Sequence, residues 1–159
     1  MGLDTAGEKC MTLAKHLLVM SVIFSGQAAA QAAAPGSAQE LWDDFVELGT
    51  GFDPALADLY ADDAVITLTR RYPDGSTRTL QLTGKEYKPM VRQAMPIARN
   101  RGDLDVYSNV RFENLGDRTR ITATRYGTLK KYRAPHELIV GNVGSSGWKI
   151  LKETGESGP

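Results

Sequence analysis

The stretch DPALADLYADDAVITLTRR, residues 53–71, changes period half-way along. Asp53 followed by Pro54 is a helix start: a carboxylate that can accept from the first unpaired N–H groups, then a residue whose fixed φ suits the first helical position. Leu56, Leu59 and Tyr60 follow at helical spacing. From Ala64 the pattern becomes that of a strand, with Ile66 and Leu68 alternating with Val65, Thr67 and Thr69. Asp62 and Asp63 fall at the junction. A catalytic carboxylate pair must share one cavity wall with separated pKa values, which sequence neighbours at a turn rarely achieve. Aspartates at such a junction bond nearby backbone N–H groups and permit the turn, and this local role is the one expected of them.

The flanking segments extend the pattern. Upstream, AQELWDDFVELG (38–49) places Leu41, Trp42, Phe45 and Leu48 at helical spacing, with Ser37 and Glu40 as a capping box and Gly49 and Gly51 as the stop. Downstream, Tyr72-Pro73-Asp74-Gly75 is a hairpin turn and STRTLQLT returns from it. Thr83 and Glu86 make a second capping box, opening a helix with Tyr87, Met90, Val91, Ala94 and Ile97 on one side, bent or interrupted by Pro89 and Pro96. DLDVYSNVRFEN (103–114) alternates Leu104, Val106, Ser108, Val110 and Phe112 against polar partners. RTRITATRYGTLKKY (118–132) reads as one long strand, and HELIVGNV and GWKILKE complete the sheet. The order ααββαββββ predicts an α+β domain, a mostly antiparallel sheet carrying about three helices on one face.

The N-terminus precedes this domain. Lys15 and His16 lead into LLVMSVIFSG (17–26), followed by small residues with Ala-x-Ala patterns ending at Ala30 and Ala32. That is the pattern of a secretory signal peptide over residues 1–32, with 1–10 a candidate upstream extension, Met1 or Met11 the start, and 33–37 a linker. The apolar run is too short to span a bilayer, which takes about 20 residues. The chain is therefore expected to be exported, periplasmic or secreted, after cleavage near Ala30 or Ala32. Its one cysteine, Cys10, falls in the removed segment, so the mature protein would carry no disulfide and no thiol nucleophile.

Net charge is zero but unevenly spread. Residues 40–63 carry eight acids and no Lys or Arg, whereas residues 64–159 carry 17 basic and 9 acidic residues. An acidic helical layer beside a more basic sheet accounts for this, and a sheet that attracts an anion is the sharper reading. The basic residues are scattered without an aromatic-interleaved motif, so nucleic acid is not an expected partner.

LYADDAVITL after an amphipathic helix, LTGKEY opening a second, NLGDRTRIT across a turn and GWKILKE near the end follow one another in an order that resembles the nuclear transport factor 2-like superfamily. The resemblance covers residues 38–155. It implies a curved-sheet α+β cone of the kind shared by ketosteroid isomerases and polyketide cyclases, with an apolar pocket between sheet and helices and frequent dimerisation through the sheet. In the ketosteroid isomerases the catalytic base would fall at Leu68 and the oxyanion-binding tyrosine at about Asp44 or Phe45. Neither position keeps that chemistry, so the resemblance does not imply that isomerase reaction.

Few residues could carry chemistry. His136 is the one histidine of the mature chain, no G-x-S-x-G elbow occurs, and a zinc site built from several histidines is excluded by count. No glycine-rich phosphate loop is present, and the sequence calls for no metal and no cofactor. On strand 118–132 the odd positions Thr119, Ile121, Ala123, Arg125, Gly127 and Leu129 form the more apolar face, on which Arg125 is the single charge. A cation buried there needs a partner: an acid of the helical layer such as Asp44 or Asp63, a register slip at Gly127, or an anionic or carbonyl-bearing ligand. The catalytic candidates are Tyr60, Tyr87, Arg125 and His136. The ligand-binding candidates are Trp42, Phe45, Tyr60, Leu68, Tyr87, Val91, Ser108 and Arg125, with Met90, Ile121 and Ala123 as further walls. A small apolar or anionic ligand and a second copy of the chain, docked on Thr122, Thr124, Tyr126 and Thr128, are the expected partners. A non-catalytic ligand-binding domain is the first functional expectation, an isomerase, cyclase or dehydratase the second, and a homodimeric protein-interaction module acting through that exposed sheet face the third.

Overall fold

The computed structural model describes residues 34–158, so the expected signal segment lies outside the described residues. Helix α1 (Ala38–Thr50) starts at Ser37, whose Oγ accepts from Glu40 N–H at 3.1 Å. It buries Leu41, Trp42 and Phe45. A 3-10 turn (Pro54–Leu59) begins at Asp53, whose carboxylate accepts from Ala55 N–H at 2.8 Å. Strand β1 (Tyr60–Arg71) leads through a hairpin to β2 (Thr77–Thr83). The capping box of Thr83 and Glu86 then opens α2 (Gly84–Arg101), which ends on Gly102 in the left-handed region. The remaining strands are β3 (Asp105–Asn114), β4 (Arg118–Gly127), β5 (Tyr132–Asn142) and β6 (Trp148–Ser157).

The six strands form one open sheet in the order β2-β1-β6-β5-β4-β3. Every pairing is antiparallel except β1 with β6. The helices cover one face, where Leu41, Ile66, Ile121, Leu138, Val140 and Ile150 are fully buried. The α+β class and the element order are those expected from sequence.

Local details differ. Asp62 and Asp63 lie inside β1, where its register with β6 shifts between Tyr60 and Val65. Both side chains are exposed, and Asp62 pairs with Lys88 of α2 at 2.5 Å rather than capping backbone. Helix α2 runs unbroken through Pro89 and Pro96. Its caps and the burial of Val91 outweigh the bonds that the two prolines remove. The expected single strand 118–132 is two, because the chain reverses after Gly127, with Lys131 at φ 54° in the turn. Residues 34–37, read as a linker, lie against the sheet: Pro35 is buried and its carbonyl accepts from Trp148 N–H at 3.0 Å.

Gly84 is the tightest point between helix and sheet. A Cβ there would lie 1.9 Å from the Ala61 carbonyl oxygen, so only glycine lets α2 start so close to β1. Gly84→Ala is expected to lower stability by about 3 kcal/mol or more through a backbone clash. Gly49→Ala, which meets nothing within 4 Å, should be neutral or stabilising by about 0.5–1 kcal/mol. Urea midpoints of the two variants check the contrast.

Candidate functional site

The site grows from the inward face of the sheet. Directly opposed residues of neighbouring strands share a face, so the pairs Tyr107–Arg125, Arg125–Ala134, Ala123–His136 and Leu138–Glu153 place four polar side chains under the helices. Tyr60 at the head of β1 and Tyr87 on α2 join them, the two rings meeting edge to face at 5.2 Å.

Glu153 is the deepest acid, 5% exposed. The Tyr60 hydroxyl donates to its Oε2 at 2.7 Å. Burial raises the Glu153 carboxyl above the ordinary carboxylate range, while the Tyr60 hydrogen bond and Arg125 pull the other way. Burial also raises Tyr60, Tyr87 and Tyr107, so none ionises at physiological pH. His136 is 2% exposed and lies between the rings of Phe45 and Tyr107. Desolvation first, and Arg125 second, lower its pKa to about 3. Its Nε2 stands 3.8 Å from Glu153 Oε1, and neither ring nitrogen has a hydrogen-bond partner. The His136–Glu153 contact is therefore one between groups pushed toward their neutral forms rather than an ion pair.

Nearer solvent, Arg125 donates from Nη2 to the Glu156 carbonyl and from Nη1 to Asp105 Oδ2 at 3.4 Å. Burial raises the Asp105 carboxyl, and Arg125 lowers it by less. These two residues line a cavity of about 300 Å³. Its helix side is Phe45, Phe52, Leu56, Met95 and Ala98; its strand-end side is Asp103, Asp105, Tyr107, Arg125, Lys130 and Tyr132. Phe52 holds φ 53°, a strained value for a bulky residue, and Arg99 donates to the Gly51 carbonyl beside it at 2.7 Å.

Of the residues singled out from sequence, Phe45 and Arg125 line this cavity. Trp42, Tyr60 and Val91 belong to the packed core, and Leu68 and Tyr87 pack against it. His136 is buried because β5 begins at Tyr132 and carries it into the middle of the sheet. Ser108 is a correction: it is exposed, bonded to the Thr124 carbonyl at 3.5 Å. The irregularity between Ser108 and Arg111, with Asn109 at φ 55°, puts Tyr107 inward instead. Met90 is 45% exposed on the outside of α2. Arg125 finds its acid on the neighbouring strand, at Asp105, and neither Asp44 nor Asp63 reaches it. Glu153 faces inward because Leu151 is the extra residue of a register shift between β5 and β6, and no local sequence pattern marks it. Among the described residues no three His, Cys, Asp or Glu side chains cluster as a metal site, and no helix is long and apolar enough to cross a membrane.

Sheet order, the single parallel pair and a helix-covered concave face decide the comparison with known proteins. The chain has the nuclear transport factor 2-like fold. A nuclear transport factor 2-like protein of unknown function from Pseudomonas putida matches with a TM-score of 0.56 at 14% identity, over 73% of this chain and 80% of that one. One from Shewanella oneidensis, also of unknown function, gives 0.53 at 13% identity, over 75% and 95%. A provisionally named ketosteroid isomerase from Shewanella frigidimarina gives 0.50 at 17% identity, over 72% and 89%. No protein-family profile and no curated protein matches the sequence. At these identities the likeness establishes the fold alone.

The buried histidine is expected to make the domain acid-sensitive. The unfolded chain takes up a proton near pH 6.5, the folded one near pH 3, so the His136 contribution is present above 6.5 and lost as pH falls toward 3. The loss amounts to roughly 3–5 kcal/mol. Glu153, with its pKa raised from 4.5, acts in the opposite sense as pH rises above that value. Denaturant midpoints measured across the acid range should fall steeply for wild type and more shallowly for His136→Leu.

Proposed function

We propose that this is an exported protein that holds one small apolar or amphipathic molecule in the cavity between its helices and the concave face of its sheet. The observation that carries the reading is the cavity of about 300 Å³, apolar on the helix side and polar on the strand-end side. Ligand sites run from about 300 to 1,000 Å³ and combine mostly apolar walls with a few convergent polar groups. Export rests on the basic, apolar and Ala-x-Ala order of residues 15–32.

A second reading, proton-transfer chemistry of the isomerase or dehydratase kind on the bound molecule, is favoured by Glu153. A carboxyl raised toward neutrality, held by a tyrosine hydroxyl and faced by a neutral histidine, has the properties of a general acid or base. Against it stands the packing: neither Glu153 nor His136 lines this cavity, and His136 packs against Tyr107, which does. Binding without turnover is therefore the primary reading.

Native mass spectrometry of the protein purified from its own cell envelope should find a retained small molecule. Ala98→Trp, which fills the cavity from α2, should reduce its uptake at least about tenfold with the thermal midpoint unchanged. A protein that carries no molecule, and whose midpoint no apolar acid, alcohol or steroid shifts, would refute the reading. Turnover of the retained molecule that disappears in Glu153→Gln would establish the second reading in its place.

A further inference from the structure

We propose that the cavity's ligand is a monocarboxylate whose carboxylate replaces Asp105 on the Arg125 guanidinium. This rests on the ligand-binding reading of the cavity and adds the chemical class of the ligand.

Arg125 is a fork already held in place. Its Nη2 is tied to the Glu156 carbonyl, a neutral acceptor that orients the guanidinium without discharging it. Its carboxylate partner is loose: Asp105 Oδ2 stands 3.4 Å from Nη1, where charge-assisted N–H···O bonds are usually about 2.7–2.9 Å. Both groups line the cavity, with side chains 23% and 38% exposed. An incoming acid can reach them, and the apolar wall opposite, Phe45, Leu56 and Met95, would take its carbon body.

The surrounding charges leave Asp105 as the group to displace. Glu156 is committed to Arg71, at 2.9 and 3.0 Å, and to the Tyr132 hydroxyl at 2.6 Å. Glu153 is held by Tyr60. His136, Tyr87 and Tyr107 are neutral. Asp103 and Lys130 oppose one another in charge on the cavity wall. A guanidinium offers a planar fork that fits one carboxylate with two parallel bonds, and this site has one such fork.

Displacement has a proton consequence. Burial already holds the Asp105 carboxyl up against the pull of Arg125. Deprived of that partner, it takes up a proton. The exchange balances as one ligand carboxylate and one proton bound, with Asp105 left as the neutral acid. Binding therefore tightens as pH falls, until the ligand's own carboxyl protonates.

Calorimetric titration of the full chain with octanoate, methyl octanoate and octanol, between pH ~7 and ~5.5 in buffers of different ionisation enthalpy, tests this. Octanoate should bind at least about tenfold tighter than either neutral analogue, with proton uptake, and tighter at the lower pH. Asp105→Asn should bind octanoate about tenfold or more tighter near neutrality and lose the proton uptake. Arg125→Met should lose the preference for octanoate; Arg125→Lys, which keeps the charge without the fork, should weaken it and keep the pH trend. Equal binding of acid and ester, or no gain in Asp105→Asn, overturns the carboxylate assignment while the cavity reading stands. Failure of all three probes to bind also overturns the carboxylate assignment, and the cavity reading falls with it when native mass spectrometry finds no retained molecule and no steroid shifts the thermal midpoint.

Discussion

A hydrogen bond out of reach of water, from the Tyr60 hydroxyl to the Glu153 carboxyl at 2.7 Å, joins β1 to β6, the one parallel pair at the middle of the sheet. Around it three parts of the chain meet. Tyr60 is the residue at which the 3-10 turn becomes a strand, Tyr87 brings the first turn of α2 against its ring, and Glu153 lies on the last strand. A buried acid without a donor costs several kcal/mol, so the position of Tyr60 constrains where the 3-10 turn must stop. The close approach of Gly84 to the Ala61 carbonyl follows from the same junction.

Polar groups on the inner face form a gradient rather than a patch. At the bottom, Glu153 and His136 are sealed and driven toward neutrality by burial. Half-way out, Arg125 donates to a backbone carbonyl and faces a partly exposed acid, Asp105. At the strand ends, Glu156 pairs with Arg71 and Tyr132, which hold its carboxyl down at about 2. Each group's protonation state follows from its depth, since desolvation and local pairing oppose one another and their balance changes along the cone.

The structural likeness carries fold without chemistry. Proteins sharing this architecture at 13–17% identity include members of unknown function and one provisionally named isomerase, and function in such a fold belongs to the side chains placed inside it. Here Leu68 of β1 lies beside Gly155, and the buried acid of the inner face, Glu153, belongs to β6.

Sequence by itself determined the element order, the caps at Ser37, Asp53 and Thr83, and the inward direction of Arg125. These are local properties: periodicity, side-chain acceptors two or three residues from a free N–H, and strict alternation along one strand. Tertiary structure alone decided which acid meets Arg125, that His136 is buried, and that Glu153 rather than Ser108 faces inward. The physical reason is register. A single-residue irregularity in β3, between Ser108 and Arg111, and another in β6, opposite Ile139 and Val140, each exchange the inner and outer faces of everything beyond them. Those irregularities come from how strands far apart in the chain pair, and no local pattern of side chains records them.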